Sequence, residues 1–151
     1  MKRSTAPLSD AWLVGTWKLN AFLHEALPSG ERTDEFGDNP AGYLTYTTDG
    51  RMHAILMRKD RPNPQALIPT KGELAKLHAT MVAYAGTFTV EKDEVVHHID
   101  VSWNQAWNGT DQRRFWKLEG DVLTLTTATG RDPIDGKEGR FIAIWKRLMK
   151  A

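Results

Sequence analysis

The chain has 151 residues, with 20 Lys and Arg against 19 Asp and Glu, so its formal net charge is +1. That balance supplies no electrostatic basis for binding nucleic acid or an anionic membrane. No cysteine is present, which excludes disulfides, thiol catalysis and thiolate metal sites.

The length suits one domain with a sizeable core, read as a tail over residues 1–12 and a single domain over 13–151. The opening MKRSTAPLSD has basic residues but no apolar run behind them, and no later stretch is long enough to span a bilayer. A cytoplasmic protein is the expectation. Six tryptophans point to an aromatic core or cavity rim.

After a short plug at Ala11–Val14, Gly15-Thr16-Trp17 opens a strand in which Trp17, Leu19, Ala21 and Leu23 alternate with Lys18, Asn20, Phe22 and His24. This is the period of a half-buried strand, and it carries Glu25 to the inner face as well. Leu27–Asn39 holds Pro28, Gly30, Gly37 and several acids, and reads as a loop with one short strand near Glu31–Phe36.

The clearest hairpin signal follows. Gly42–Thr48 and Arg51–Met57 flank Asp49-Gly50, a dipeptide suited to a two-residue turn. That turn sets Tyr46 opposite His53 and Leu44 opposite Ile55. Leu44, Tyr46, His53, Ile55 and Met57 then share one face, taken as interior.

Lys59–Thr70 carries three prolines and cannot be regular. Leu74, Leu77, Met81 and Val82 then form one stripe of a helix over Gly72–Val82. The helix lies across a sheet or over a barrel end; on the second placement it gates entry together with the loop, with Leu77 and Met81 lining the lid, and on the plainer reading its stripe is core.

A second hairpin joins Ala83–Val90 to Val95–Ser102, with Val90 opposite Val95. Its inner face collects Tyr84, Gly86, Phe88, Val90, Val95, His97, Ile99 and Val101, leaving His98 and Asp100 outside. Trp103–Gly109 reads as an ordered loop whose two tryptophans pack beneath it, rim a cavity mouth or make an oligomer contact. In a third hairpin, Thr110–Leu118 and Val122–Thr127, the inner face carries Arg114, Trp116, Leu118, Leu123, Leu125 and Thr127. A Gly/Asp-rich loop over Thr129–Gly139 leads to a last strand, Phe141–Leu148, that is apolar on both faces and cannot be oriented.

Eight or so antiparallel strands with one short helix give a mainly β fold, an up-and-down barrel that leaves no exposed edge. Such a barrel has room for one small ligand.

The Gly15-Thr16-Trp17 opening resembles the Gly-x-Trp signature of lipocalins. The ordered set FGDNPAGYLTYTTDGRM, YAGTFTV, VVHHIDVS, NQAWNGTDQRRF and LTLTT resembles the small microbial lipocalin-like domain family, from about Leu13 onward. The resemblance implies a calyx-shaped barrel with Trp17 at its closed end and an arginine packed on that ring, for which Arg147 is a candidate. It also brings in cofactor-free isomerases, cyclases and lyases, but no catalytic motif that transfers.

The interior polar residues therefore carry the functional reading. Tyr46, His53, Tyr84, His97 and Arg114 all point inward. For each alone, a satisfied core residue is the plainer interpretation. Arg114 is the sharpest, because a buried guanidinium needs an anion. Glu25, a loop acid or a ligand oxyanion would serve.

On the catalytic reading His53 or His97 moves a proton, Tyr46 acts as acid and Arg114 steadies developing charge. Tyr84, Phe88, Trp116, Leu44, Ile55 and Met57 join Arg114 as ligand-binding candidates. On the alternative reading the same cavity belongs to a non-catalytic carrier or sensor, and on a third the barrel is packed solid. No cofactor or metal is expected: His98 and Asp100 lack a third ligand, and no axial-ligand motif supports haem at His53 or His97. The expected partner is a small hydrophobic or aromatic ligand, with no nucleic acid and no membrane, and the sequence leaves room for a homodimer.

Overall fold

The structure, a computed structural model, describes residues 10–131 and 136–149. Most of the expected tail and the middle of the Thr129–Gly139 loop lie outside them. Ten strands run β1 (Gly15–Ala26), β2 (Arg32–Asp34), β3 (Ala41–Tyr46), β4 (Arg51–Met57), β5 (Met81–Val90), β6 (Glu94–Ser102), β7 (Asp111–Glu119), β8 (Val122–Thr126), β9 (Gly130–Arg131) and β10 (Glu138–Arg147). One α-helix, α1 (Lys71–Ala79), and a 3-10 turn, η1 (Gln105–Trp107), complete the elements.

Strand order is β2-β1-β3-β4-β5-β6-β7-β8-β10-β9, and β1 also pairs with β10. That pairing closes an eight-stranded antiparallel barrel from β1, β3–β8 and β10, with β2 and β9 as short appendages. Closure leaves the barrel strands no free edge.

The two ends of the barrel differ. Trp17, Leu13, Tyr46, Met52, Phe88, Val90, Val95, Leu123 and Trp145 fill the end where β1 begins and β10 stops. There the Arg147 guanidinium lies over the Trp17 ring at 4.1 Å from its centroid. Arg147 Nη1 also donates to the Val14 carbonyl at 3.0 Å, and Nη2 donates to that of Trp12. Trp17 Nε1 donates to the Leu13 carbonyl at 3.0 Å. A cation on an aromatic face, tied to two backbone carbonyls, seals this end. The arginine implied by the lipocalin resemblance is thus Arg147.

Local chemistry overturns three expectations about parity. The β3–β4 hairpin pairs Tyr46 with Met52 and Leu44 with Ala54, one residue away from the expected register. Its loop has three residues, Thr48–Gly50: Thr47 N donates to Arg51 O at 2.9 Å and Gly50 N to Thr47 O at 3.1 Å. Gly50 alone takes a positive φ, of 85°, so Asp49 is not the left-handed residue that a two-residue turn requires. A one-residue slip reverses every side chain of β4. Met52, Ala54 and Leu56 face in, and His53 and Ile55 are exposed, with Met57 half-buried on their side.

In β1 a bulge between Leu19 and Ala21 reverses the parity of the second half. Phe22 and His24 consequently line the interior, where they had been expected outside. Glu25 is buried in an ion-pair cluster, 2.8 Å from both Arg32 and Arg140. In β6 the extra residue Asp100, between Gly86↔Ile99 and Ala85↔Val101, turns Val101 outward.

α1 is shorter than its apolar stripe suggested. Met81 and Val82 begin β5, and none of the helix's residues is buried. A capping box between Thr70 and Glu73 starts the helix, while Arg61 holds its end, donating to Leu77 O at 2.9 Å and Thr80 Oγ1 at 3.1 Å.

Gly86 marks the tightest strand contact near the β6 bulge. A Cβ there would stand 1.8 Å from the His98 carbonyl oxygen, whereas one at Gly130 would meet nothing within 4 Å. Gly86→Ala is expected to lower the unfolding free energy by about 1–3 kcal/mol or more. Gly130→Ala should stay within about 0.5 kcal/mol of wild type. Urea denaturation of both variants checks this, and equal midpoints would contradict it.

Candidate functional site

Above the packed end the barrel encloses a cavity of about 770 Å³, within the range of small-molecule sites. A solid barrel is thereby excluded. Its walls are mostly apolar, from Phe22, Leu44, Leu56, Val82, Leu125 and Phe141 among others. The mouth lies beside His78 and Ala79 of α1 and the tryptophans of the β6–β7 loop. Trp103 and Trp107 meet edge to face at 5.1 Å, Trp107 packs on Tyr84 at 5.5 Å, and His78 stacks on Trp103 at 6.0 Å. Both tryptophans therefore form the cavity rim as well as packing within their loop.

The polar heart of the site is His97, on β6 at 1 % exposure. Its Nε2 lies 2.6 Å from Tyr46 Oη and its Nδ1 2.9 Å from Tyr84 Oη. Tyr46, also 1 % exposed, sits beneath the cavity with Phe88 edge-on to its ring at 4.7 Å, while Tyr84 lines the cavity itself. The three side chains form a file from the packed core to the open space.

Burial pulls the His97 imidazole well below its ordinary value, helped by the charge of Arg114 and by the neighbouring His98. Burial likewise raises both phenols, Tyr46 the more strongly, and the charge of Arg114 opposes that rise in each. The file is neutral throughout at pH 7.

Arg114 lies on β7 on the same inner face, two residues beyond Gln112, the cross-strand partner of His97. Its Nη1 donates to the Arg113 carbonyl at 2.9 Å. Among the described residues no acid pairs with it, and Glu25, the one inward acid expected from sequence, is committed to Arg32 and Arg140. Those two arginines hold the Glu25 carboxyl below its usual range. Arg114 thus lines the cavity as a cation with no carboxylate paired to it among the described residues.

The sequence-derived set divides cleanly. Tyr46, Tyr84, His97 and Arg114 come together, and Leu44 lines the wall. His53, Ile55 and Met57 point away because of the three-residue turn. Phe88 belongs to the packed floor, and Trp116, 4.6 Å from Trp12, packs away from the cavity with its Nε1 3.4 Å from the Glu91 carbonyl.

His24 is the residue that sequence parity missed. It is buried, lines the cavity from β1 across the barrel from β6, and packs against Phe141. Among the described residues its ring makes no hydrogen bond. A bulge at Asn20, the only signal that would have found it, has no signature in a strand of such regular alternation.

Outside the barrel, His98 is engaged by Asp111 at 2.7 Å and Thr89 at 3.1 Å, and Asp100 by Arg51 at 3.0 Å. Among the described residues no three His, Asp or Glu side chains converge as a metal site, and no helix is long and apolar enough to cross a membrane.

Residues 14–148 match the model of the lipocalin-like domain. The chain belongs to that family. This lipocalin-like protein is 32 % identical over 108 residues to the 4'-hydroxy-3'-methoxypropiophenone carrier protein ppsC of Aspergillus oryzae, an alignment covering 64 % of this chain and 96 % of the relative. A lipocalin-like protein from Bacteroides uniformis aligns over 90 % of this chain and 98 % of its own at 14 % identity, with a TM-score of 0.48. An uncharacterized protein from Bacteroides eggerthii aligns over 89 % and 98 % at 13 % identity, with a TM-score of 0.44.

The buried neutral imidazole links stability to pH. Unfolded, His97 takes up a proton near pH 6.5; folded, it does so only at a lower pH. Its contribution is complete above about pH 6.5 and declines below it, by at most ~1.4 kcal/mol per pH unit, until the folded value is reached. Urea unfolding at pH 7.5 and 5.5 should therefore cost wild type more stability than His97→Gln. Equal losses would contradict a neutral buried His97.

Proposed function

We propose that this lipocalin-like barrel binds a small, largely aromatic molecule through an oxygen anion or electron-rich oxygen held at Arg114, and that it carries the molecule without transforming it. The observation that supports this most strongly is the cavity-lining guanidinium with no carboxylate partner among the described residues. A cation beside apolar walls favours an anionic or strongly accepting group brought by the ligand. Aromatic walls at Phe22, Phe141 and the Trp103–Trp107 rim suit a flat ring.

The carrier reading rests on what His97 lacks. Both its nitrogens are occupied by tyrosine hydroxyls, and its lowered basicity makes it a weak proton acceptor for a substrate. The relative from Aspergillus oryzae is named for carrying an aryl ketone bearing hydroxy and methoxy groups, which is the same class of ligand.

A second reading, a cofactor-free isomerase, cyclase or lyase, draws on His24. It is a cavity imidazole with no hydrogen-bond partner among the described residues, and in that reading it removes a proton while Tyr84 donates one. His24 then replaces His53 as the candidate base.

Isothermal titration with benzoate measures the role of Arg114. Arg114→Met should weaken binding about ten- to hundredfold, equivalent to ~1.5–3 kcal/mol for a hydrogen bond to a charged group. Unchanged affinity would remove the basis of the proposal. Mass spectrometry of bound aryl ketones after long incubation separates the readings: unchanged ligand fits a carrier, and an isomer, a cyclised product or a fragment formed by wild type but not by His24→Ala fits an enzyme.

A further inference from the structure

The hydroxyl of Tyr84 is the next polar group along the file, and the direction of its proton follows from the groups behind it. Tyr46 has a single hydrogen-bond partner, Nε2 of His97, and does not line the cavity. Its proton has only that nitrogen to go to. Were Nε2 to carry the imidazole proton, the Tyr46 hydroxyl would be left buried with no acceptor, a loss of about 1–3 kcal/mol. Nε2 is therefore the acceptor, and in a neutral ring the proton sits on Nδ1. Nδ1–H then donates to Tyr84 Oη at 2.9 Å, which turns the Tyr84 proton away from the histidine toward the cavity.

From this geometry we infer that Tyr46 and His97 are positioning residues that hold Tyr84 as a hydrogen-bond donor to the ligand, so that the Arg114–Tyr84 wall takes carbonyl, carboxylate or phenolate oxygens and rejects amines. The inference rests on the ligand site proposed above and narrows its substrate class. Guanidinium groups donate and never accept, so Arg114 makes the same demand. The two side chains are near enough for the charge of Arg114 to act on the Tyr84 phenol. Other polar groups that line the cavity, His24, Gln112 and the carboxylates of Glu35 and Asp111 among them, make no hydrogen bond to Tyr84 or Arg114 among the described residues, so the demand at this wall is set by Tyr84 and Arg114 themselves. A hydroxyl free to rotate would discriminate little between donor and acceptor ligands. One whose oxygen already receives Nδ1–H presents its proton.

Two measurements on the full chain test this. Long-range proton–nitrogen correlation spectra of the wild-type protein report each ring nitrogen of His97 directly, with no ligand required. The expected result is a pyrrole-like Nδ1 and a pyridine-like Nε2. The reverse assignment, or a doubly protonated ring at pH 7, would overturn the inference while leaving the Arg114 site standing.

Titration with acetophenone and benzylamine then examines the consequence. Wild type should prefer acetophenone, and Tyr84→Phe, which keeps the ring on Trp107, should lose about tenfold in acetophenone affinity with little change for benzylamine. Equal losses for both probes would mean that Tyr84 contributes only packing, and would also overturn the inference. Failure of the wild type to bind benzoate or acetophenone at all would refute both the site and this refinement, whatever the tautomer.

Discussion

A buried imidazole with a hydroxyl on each nitrogen connects the two halves of this barrel. His97 cannot sit at 1 % exposure unless both nitrogens are satisfied. The groups that satisfy them come from different strands, Tyr46 of β3 and Tyr84 of β5. Tyr46 belongs to the dry packing beneath the cavity, and Tyr84 to the cavity wall. The tyrosine of the cavity wall is thereby tied, through His97, to a tyrosine of the packed floor.

The rest of the architecture keeps that file dry below and open above. The Arg147–Trp17 stack and the residues around it close one end, so no solvent reaches Tyr46 from that side. At the other end the connections are longer and less packed. α1 buries none of its residues and is held by its capping box, by Arg61 and by the His78–Trp103 contact, so it covers the mouth lightly. Membership of the lipocalin-like family describes the scaffold. The proposed function rests on the few polar groups placed within it, Arg114, Tyr84, His97 and His24.

Much of this was legible in the sequence wherever alternation ran unbroken. The β5–β6 and β7–β8 hairpins alternate regularly across their inner halves, so Tyr84, His97 and Arg114 were correctly faced, and the Val90–Val95 pair fixed one register. Legibility failed where one residue changed the parity. Asp49-Gly50 reads equally well as the centre of a two-residue turn or the end of a three-residue one, and only the φ of each residue separates them. That ambiguity sent His53 to the wrong face. The bulges at Asn20 and Asp100 hid His24 and misplaced Val101, because a bulge is decided by how neighbouring strands close the barrel, not by local preference. The last strand, apolar on both faces, took its orientation from its pairing with β1 and β8 alone.

The central claim is that a ligand oxygen sits inside the barrel at Arg114. Nitrogen-15 labelled protein titrated with benzoate tests it most directly, through the Arg114 side-chain Nε–H and the indole N–H resonances. On this account the Arg114 signal shifts and exchanges more slowly with solvent as benzoate saturates, and the Trp103 and Trp107 indole signals move with it. Shifts confined to the exposed apolar residues Leu67, Ile68 and Leu74 outside the cavity, with Arg114 unmoved, would contradict it.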